Sequence, residues 1–327
     1  MASGSVAEWT FSDWQFTFRK IGRYGPLIGL IGLYVVFGFL TGNFLTYSNQ
    51  LNVLRRSSII GILAIGVTFP ILCAEIDLSI AQVMAFSGLL IAALATGARA
   101  LGAVPVWIAI TVGIGAAAAL GVISGYVTSR FEVPSFMSTL AILFLADGLG
   151  ILVSGNRPII GLPQPLLFLG GGQLFGFPMI IVTFFVLLVF SQFILSYTRF
   201  GRYIYAIGGD REAAELMGIN VARVRMSVLI ISAVFSGIAG LVMLGRLGSA
   251  IPTMGESLLL PPIAAVILGG ANLFGGSGNM AGTLVGVLIL GALENGLNLL
   301  GVDPAGQLVA QGTVLLLAVL ANVVTRR

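Results

Sequence analysis

The chain has 327 residues, of which 57% are hydrophobic and only 9% charged, with a mean hydropathy of +1.07, whereas a soluble globular domain carries about 25% charge. Five windows, 24–54, 100–129, 158–198, 257–293 and 305–325, hold no charge at all, which excludes a water-soluble fold. With no His, one Cys and scattered acids, the composition also excludes a His/Cys metal cluster, a Ser-His-Asp or Cys-His nucleophile and a disulfide framework. No catalytic or metal-ligating residue is therefore expected. Cys73 lies inside an apolar run and reads as a packing residue.

Residues 1–25 form an N-terminal segment distinct from the membrane domain, 26–327. Its basic residues Arg19, Lys20 and Arg23 follow Trp9, Phe11, Trp14, Phe16 and Phe18 with no continuous apolar stretch between them, unlike a cleaved signal peptide. Those aromatics suit the headgroup layer, and a disordered tail is the alternative.

From there, apolar runs between turn and charge signals predict ten spans, at about 26–45, 52–73, 78–98, 104–128, 134–153, 177–197, 224–245, 257–273, 280–300 and 306–324. The fold class is therefore an all-α, polytopic membrane protein. Arg55 and Arg56 at the start of the second span, Glu75 and Asp77 between the second and third, and Pro252, Pro261 and Pro262 around the eighth leave room for eight spans plus re-entrant or broken pieces. With ten spans and a cytoplasmic N-terminus, 11 of the 16 cations fall on the cytoplasmic side, among them Arg130, Arg199, Arg202, Arg211, Arg223, Arg225, Arg326 and Arg327. Arg55, Arg56, Arg99, Arg157 and Arg246 fall outside. This agrees with the positive-inside rule and places both termini in the cytoplasm.

The longest polar segment, within 198–226, carries Arg199, Arg202, Asp210, Arg211, Glu212, Glu215, Arg223 and Arg225. Tyr205-Ala-Ile-Gly-Gly209 is expected to turn the chain, and Asp210 to cap a short helix from Arg211 to Met217 that Gly218 ends. Arg211, Glu212 and Glu215 would project from that helix, while Ala213, Ala214 and Leu216 would form a small apolar face. Such a helix lying along the membrane can dock into a groove of a cytoplasmic partner; a solvated loop is the alternative.

The run Glu212-Ala213-Ala214-x3-Gly218 resembles the E-A-A-x3-G motif of ABC importer permeases, and FGRYIYAIGGDREAAELMGINVARV, 200–224, is similar to the ribose-type, carbohydrate-importing branch of that superfamily. Three further blocks, 52–88, 133–159 and 264–302, resemble that branch in the same order. The resemblance implies an inverted-repeat permease in the bacterial cytoplasmic membrane. It also implies that 198–223 is the loop coupled to the ATPase, through Gly201, Arg202, Asp210, Arg211, Glu212, Ala213, Ala214, Glu215 and Gly218. No cofactor is then expected on this chain, because ATP and Mg belong to separate ABC ATPase subunits. The other implied partners are a second permease copy or paralogue, an extracytoplasmic solute-binding protein and the lipid bilayer, with no nucleic acid. The chain departs from the branch at Ala74-Glu75, where paired glycines are usual, and at Leu259-Leu-Pro-Pro262, where an acidic stretch is common.

Acids inside a membrane cost roughly 2.5–3.5 kcal/mol each on insertion scales, so Glu75, Asp77, Asp147 and Glu294 need a reason. Asp77, with Ser79, reads as a cap at a break between spans or as cavity lining. Glu75 lacks a capping role and is expected to line a path or pair with Arg157 or Arg56. Glu294 and Asn298 share one helix face beside Asn295, a polar stripe that either contacts sugar hydroxyls or binds helices together. Asn272, with Phe274 and Asn279, is a further candidate for the path. Leu273-Phe-Gly-Gly-Ser-Gly278 reads as a cytoplasmic turn, and the glycine spacings Gly237/Gly240, Gly282/Gly286 and Gly291/Gly296 read as close helix packing. The expected function is the permease subunit of an ATP-dependent importer of a monosaccharide, polyol or related small carbohydrate. An ion- or proton-coupled secondary transporter using Glu75 or Glu294 is the alternative.

Overall fold

The computed structural model describes residues 11–98 and 102–326, with the backbone alone over 11–24, 318–319 and 321–326. Trp9, Arg99 and Arg327 lie outside the described residues. Helix α1, Phe11–Leu40, passes through Pro26 without a break. It is followed by α2, Tyr47–Leu72, α3, Ile80–Thr96, α4, Val106–Arg130, and α5, Ser135–Ser154. After an eight-residue helix, α6, Gln164–Gly171, comes the only hairpin among the described residues, β1, Gln173–Leu174, and β2, Phe177–Pro178. Then come α7, Met179–Tyr197, α8, Arg199–Gly209, α9, Arg211–Leu216, and α10, Val221–Leu247. A 3-10 turn, Pro252–Leu258, leads into α11, Leu260–Leu268, and the chain ends with α12, Met280–Leu299, and α13, Pro304–Arg326.

The punctuation is local. Pro105, Pro134, Pro163 and Pro178 stand immediately before α4, α5, α6 and α7, where a missing N–H costs nothing. Gly97, Gly155 and Gly248 close α3, α5 and α10 in the left-handed conformation that glycine adopts without a Cβ penalty.

Helix overlaps each predicted span, the eighth only in part. Six helices, α2, α4, α5, α7, α10 and α12, are long and apolar enough to cross a membrane, while 25–40, 80–96, 252–268 and 304–317 are shorter apolar pieces. The predicted break after the second span is present at Cys73–Ser79, and the eighth span is a 3-10 turn joined to a nine-residue helix. The sequence reading missed α6 and the hairpin.

The core is built around α2 and α10, which pack on each other; α10 also carries α3, α4 and α6, and α2 carries α7, α11 and α12. Where these helices cross, small residues let the backbones approach. A methyl group at Gly240 would meet the Met84 carbonyl of α3, one at Gly286 the Ala265 carbonyl of α11, and one at Gly121 the Ala233 side chain of α10. On α4, Gly113, Ala117, Gly121 and Gly125 recur every fourth residue and are buried, so this otherwise exposed helix docks on one stripe.

Candidate functional site: the α8–α9 elbow

Thr198 ends α7 and caps α8, its hydroxyl accepting from the Gly201 amide at 3.2 Å. Gly201 is buried at this corner, with no room for a methyl against the last carbonyls of α7. The expected turn at Tyr205–Gly209 does not form, because these residues are the end of α8. Gly208 serves close approach instead: it lies against the Leu72 carbonyl and Gly276, whose amide donates to Leu72 O at 3.0 Å. The Tyr205 hydroxyl donates to Gly278 O at 2.8 Å. The turn at 273–278 therefore sits at the same end of the molecule as α8 and α9.

The helix breaks one residue later. Asp210 is extended, and its carboxylate accepts from the Ala213 amide at 3.0 Å, capping α9; Gly218, at φ +80°, stops it. The expected apolar face is split. Ala214 is fully buried, while Leu216 and Met217 are 89% and 69% exposed, because a six-residue helix anchored through Ala214 turns its last positions outward. Glu212, Ala213 and Glu215 are exposed with them, as are Arg202 and Asp210.

Behind α9 lies a chain of ion pairs. Arg211 Nη2 donates to both oxygens of Glu132 at 2.8 Å, and its Nε is 3.5 Å from Glu215. Arg225 Nη1, in the first turns of α10, donates to the same Glu132 at 3.1 Å, and Arg225 Nε donates to Glu75, with both of those side chains buried. The Arg211 guanidinium holds the Glu132 carboxyl below the usual carboxylate range, with smaller help from Arg225. The pair network is therefore complete above that range and loosens as falling pH protonates Glu132. A cavity of about 290 Å³ opens beside the network, between Cys73–Ile76, Pro134–Phe136, Ile207, Arg211 and Arg225.

Residues 49–319 match the family described as branched-chain amino acid transport system / permease component. The chain is 41% identical to the ribose import permease protein RbsC of Bacillus subtilis over 92% of each chain. It is 37% identical to RbsC of Escherichia coli K12, covering 94% of this chain and 95% of that one. It is 31% identical to the L-arabinose transport system permease protein AraH of E. coli K12, covering 94% and 92%. The chain belongs to the ribose-type branch of the ABC importer permeases.

Several polar residues expected to line a path in this permease do structural work. Asp77 sits at the α2–α3 break, but its carboxylate accepts from the Ser79 amide at 2.8 Å and hydroxyl at 2.6 Å, an Asx turn rather than a bond to the first turn of α3. Asn272 folds the 272–275 turn onto itself, donating to Gly275 O and accepting from the Phe274 amide. Asn279 caps α12. Asn295 is buried and exchanges bonds of 2.8 and 3.1 Å with Asn49 of α2, which is helix glue. Glu294 pairs with Arg56 at 3.0 Å, and Asn298 is exposed at the end of α12, so the three do not converge on one polar surface.

The expected partner of Glu75 was wrong: neither Arg157 nor Arg56 reaches it, and Arg225 does. The sequence reading also missed Glu132. It lies 79 residues from Arg211 and 93 from Arg225, and no periodicity links positions so far apart. The one available signal was the unusual acid at Glu75, which required a buried cation somewhere in the chain.

Proposed function

We propose that this permease imports a monosaccharide or related small carbohydrate, delivered to its outer mouth by an extracytoplasmic binding protein and released inward by ATP hydrolysis on a separate ABC ATPase. It works as one of two permease subunits, identical or paralogous. Ten spans, arranged as an inverted repeat, leave both termini cytoplasmic. The packing of α2 with α11 and α12, and of α10 with α3 and α4, supports the repeat. The names of the ribose and arabinose relatives support the solute class.

The single observation that carries the coupling assignment is α9. Ala214 and Ile219 fasten it to the body while Glu212, Leu216 and Met217 face outward, giving a partner an acidic and apolar ridge on a fixed mount. Nucleotide and Mg sit on the ATPase. Alternating access then follows from movement of this ridge between two states, each favoured by a different ligation of the ATPase. The ion-coupled alternative loses its support, since Glu75 and Glu294 are each already engaged by an arginine.

The test is capture of the ATPase from native membranes, together with uptake. Glu212→Lys and Gly218→Leu are expected to insert normally yet lose both the captured ATPase and transport. Normal uptake in both variants removes the assignment.

A further inference from the structure

Two of the segments that meet behind α9 hold their backbones in an unfavourable region. Ala74 has φ +60° and Glu132 has φ +56°, left-handed conformations that a non-glycine residue keeps only when its surroundings over-determine them. Ala74 is followed directly by the buried Glu75. Glu132 connects α4 to α5. Ala74 and Glu132 are each the first residue past a helix C-cap, and at the end of α2 the Ala74 and Glu75 amides close on Ile71 O and Pro70 O at 3.1 and 2.9 Å. An ion-pair chain joins the two turns: Glu75 is tied to Arg225 of α10, Arg225 to Glu132, and Glu132 to Arg211 of α9. The α2–α3 break is in turn fastened to the first turns of α5, because the Ile76 amide donates to Ser135 Oγ at 2.9 Å and the Leu78 amide to Thr139 Oγ1 at 3.1 Å. A displacement of α9 therefore reaches α3, α5 and α10 through a continuous run of ion pairs and hydrogen bonds.

We propose that Arg211, Glu132, Arg225 and Glu75 form a mechanical strap that transmits motion of α9 to the α2–α3 break and the start of α5, making Glu75, Glu132 and Arg225 positioning residues for coupling rather than solute ligands. This rests on α9 being the ATPase contact. The burial of Glu75 and Arg225 sets the stiffness of the strap: in low dielectric neither partner leaves the other without stranding a charge. The exposed end, Arg211–Glu132, is the compliant one, since solvent competes for both groups.

The readout is the amount of solute moved per ATP hydrolysed, measured with the complete transporter, permease with its ATPase and binding protein, in proteoliposomes. The double variant Glu75→Leu/Arg225→Met removes both buried charges together, so no ion is left unpaired. It is expected to insert, to retain the ATPase and to lower the transport ratio by about fivefold or more. Glu132→Gln lies in an exposed link, leaves the buried pair intact and is expected to lower the ratio about threefold. A wild-type ratio in either variant overturns the strap. The reading of α9 fails separately: Glu212→Lys that still captures the ATPase and transports normally overturns the contact itself, whereas loss of capture in Glu212→Lys beside a wild-type ratio in the strap variants overturns only the strap.

Discussion

Helices α2 and α7 are both apolar spans, yet they live in different solvents. Of the six long spans α2 is the least apolar, and 83% of its most apolar stretch is buried inside the protein; α7 is the most apolar, and only 33% of its stretch is buried. Hydropathy alone does not sort them, for α10 nearly equals α7 in apolarity and is 72% buried. Glycine and charge set α2 and α10 apart from α7. Helix α2 carries Arg55, Arg56, Gly61 and Gly66, and α10 carries Arg225, Gly237, Gly240 and Gly245, whereas α7 has no glycine and no charge. Lipid tails are as apolar as leucine, so burial in the protein is driven by close backbone approach and hydrogen bonding rather than by escape from water.

The sharpest way to break this contrast is to put a charge on the outer stripe of α7. Val186, Val189, Phe190 and Phe193 are each more than half exposed. If this stripe meets lipid, Val189→Arg is expected to cost about 3 kcal/mol in insertion, read as the fraction of chains inserted. Normal insertion would place α7 against water or a partner instead.

Paired truncations give a smaller effect. Leu63, 1% exposed on α2, should lose about 2 kcal/mol on replacement by Ala, because a cavity opens that lipid cannot fill. Val189→Ala on α7 should stay within roughly 0.5 kcal/mol of the parent. Thermal unfolding of the detergent-solubilised protein compares the two, and equal losses would erase the distinction.

The smallest expected effect concerns the glue. Asn295→Ala should cost about 0.6 kcal/mol, and adding Asn49→Ala should cost further only through the bond that Asn49 also donates to Phe44 O at 2.8 Å, since the reciprocal pair is already lost. Fully additive losses of the two single variants would mean that the shared bonds contribute nothing.

Much of the α8–α9 elbow was legible locally. Asp210 and Gly218 bracket α9 as cap and stop because both signals act within four residues. The glycines at 208 and 209 misled, since a glycine that permits a turn and one that permits close packing are the same letter. Only the arrival of Leu72 and Gly276 beside Gly208 reveals which applies. The outward display of Leu216 was likewise hidden, because it depends on which side of a six-residue helix meets the body.

By itself the sequence determined that the chain is an α-helical membrane protein, where its apolar segments lie and which short helix its polar segment forms. Those properties follow from composition and near-neighbour chemistry, which act along the chain. The tertiary structure alone decided that Glu75 answers to Arg225 across 150 residues, that Glu132 joins Arg211 to Arg225, and that Asn295 belongs to Asn49. The physical reason is that a charge or amide withdrawn from water must find a partner in space, and folding, not spacing along the chain, supplies it.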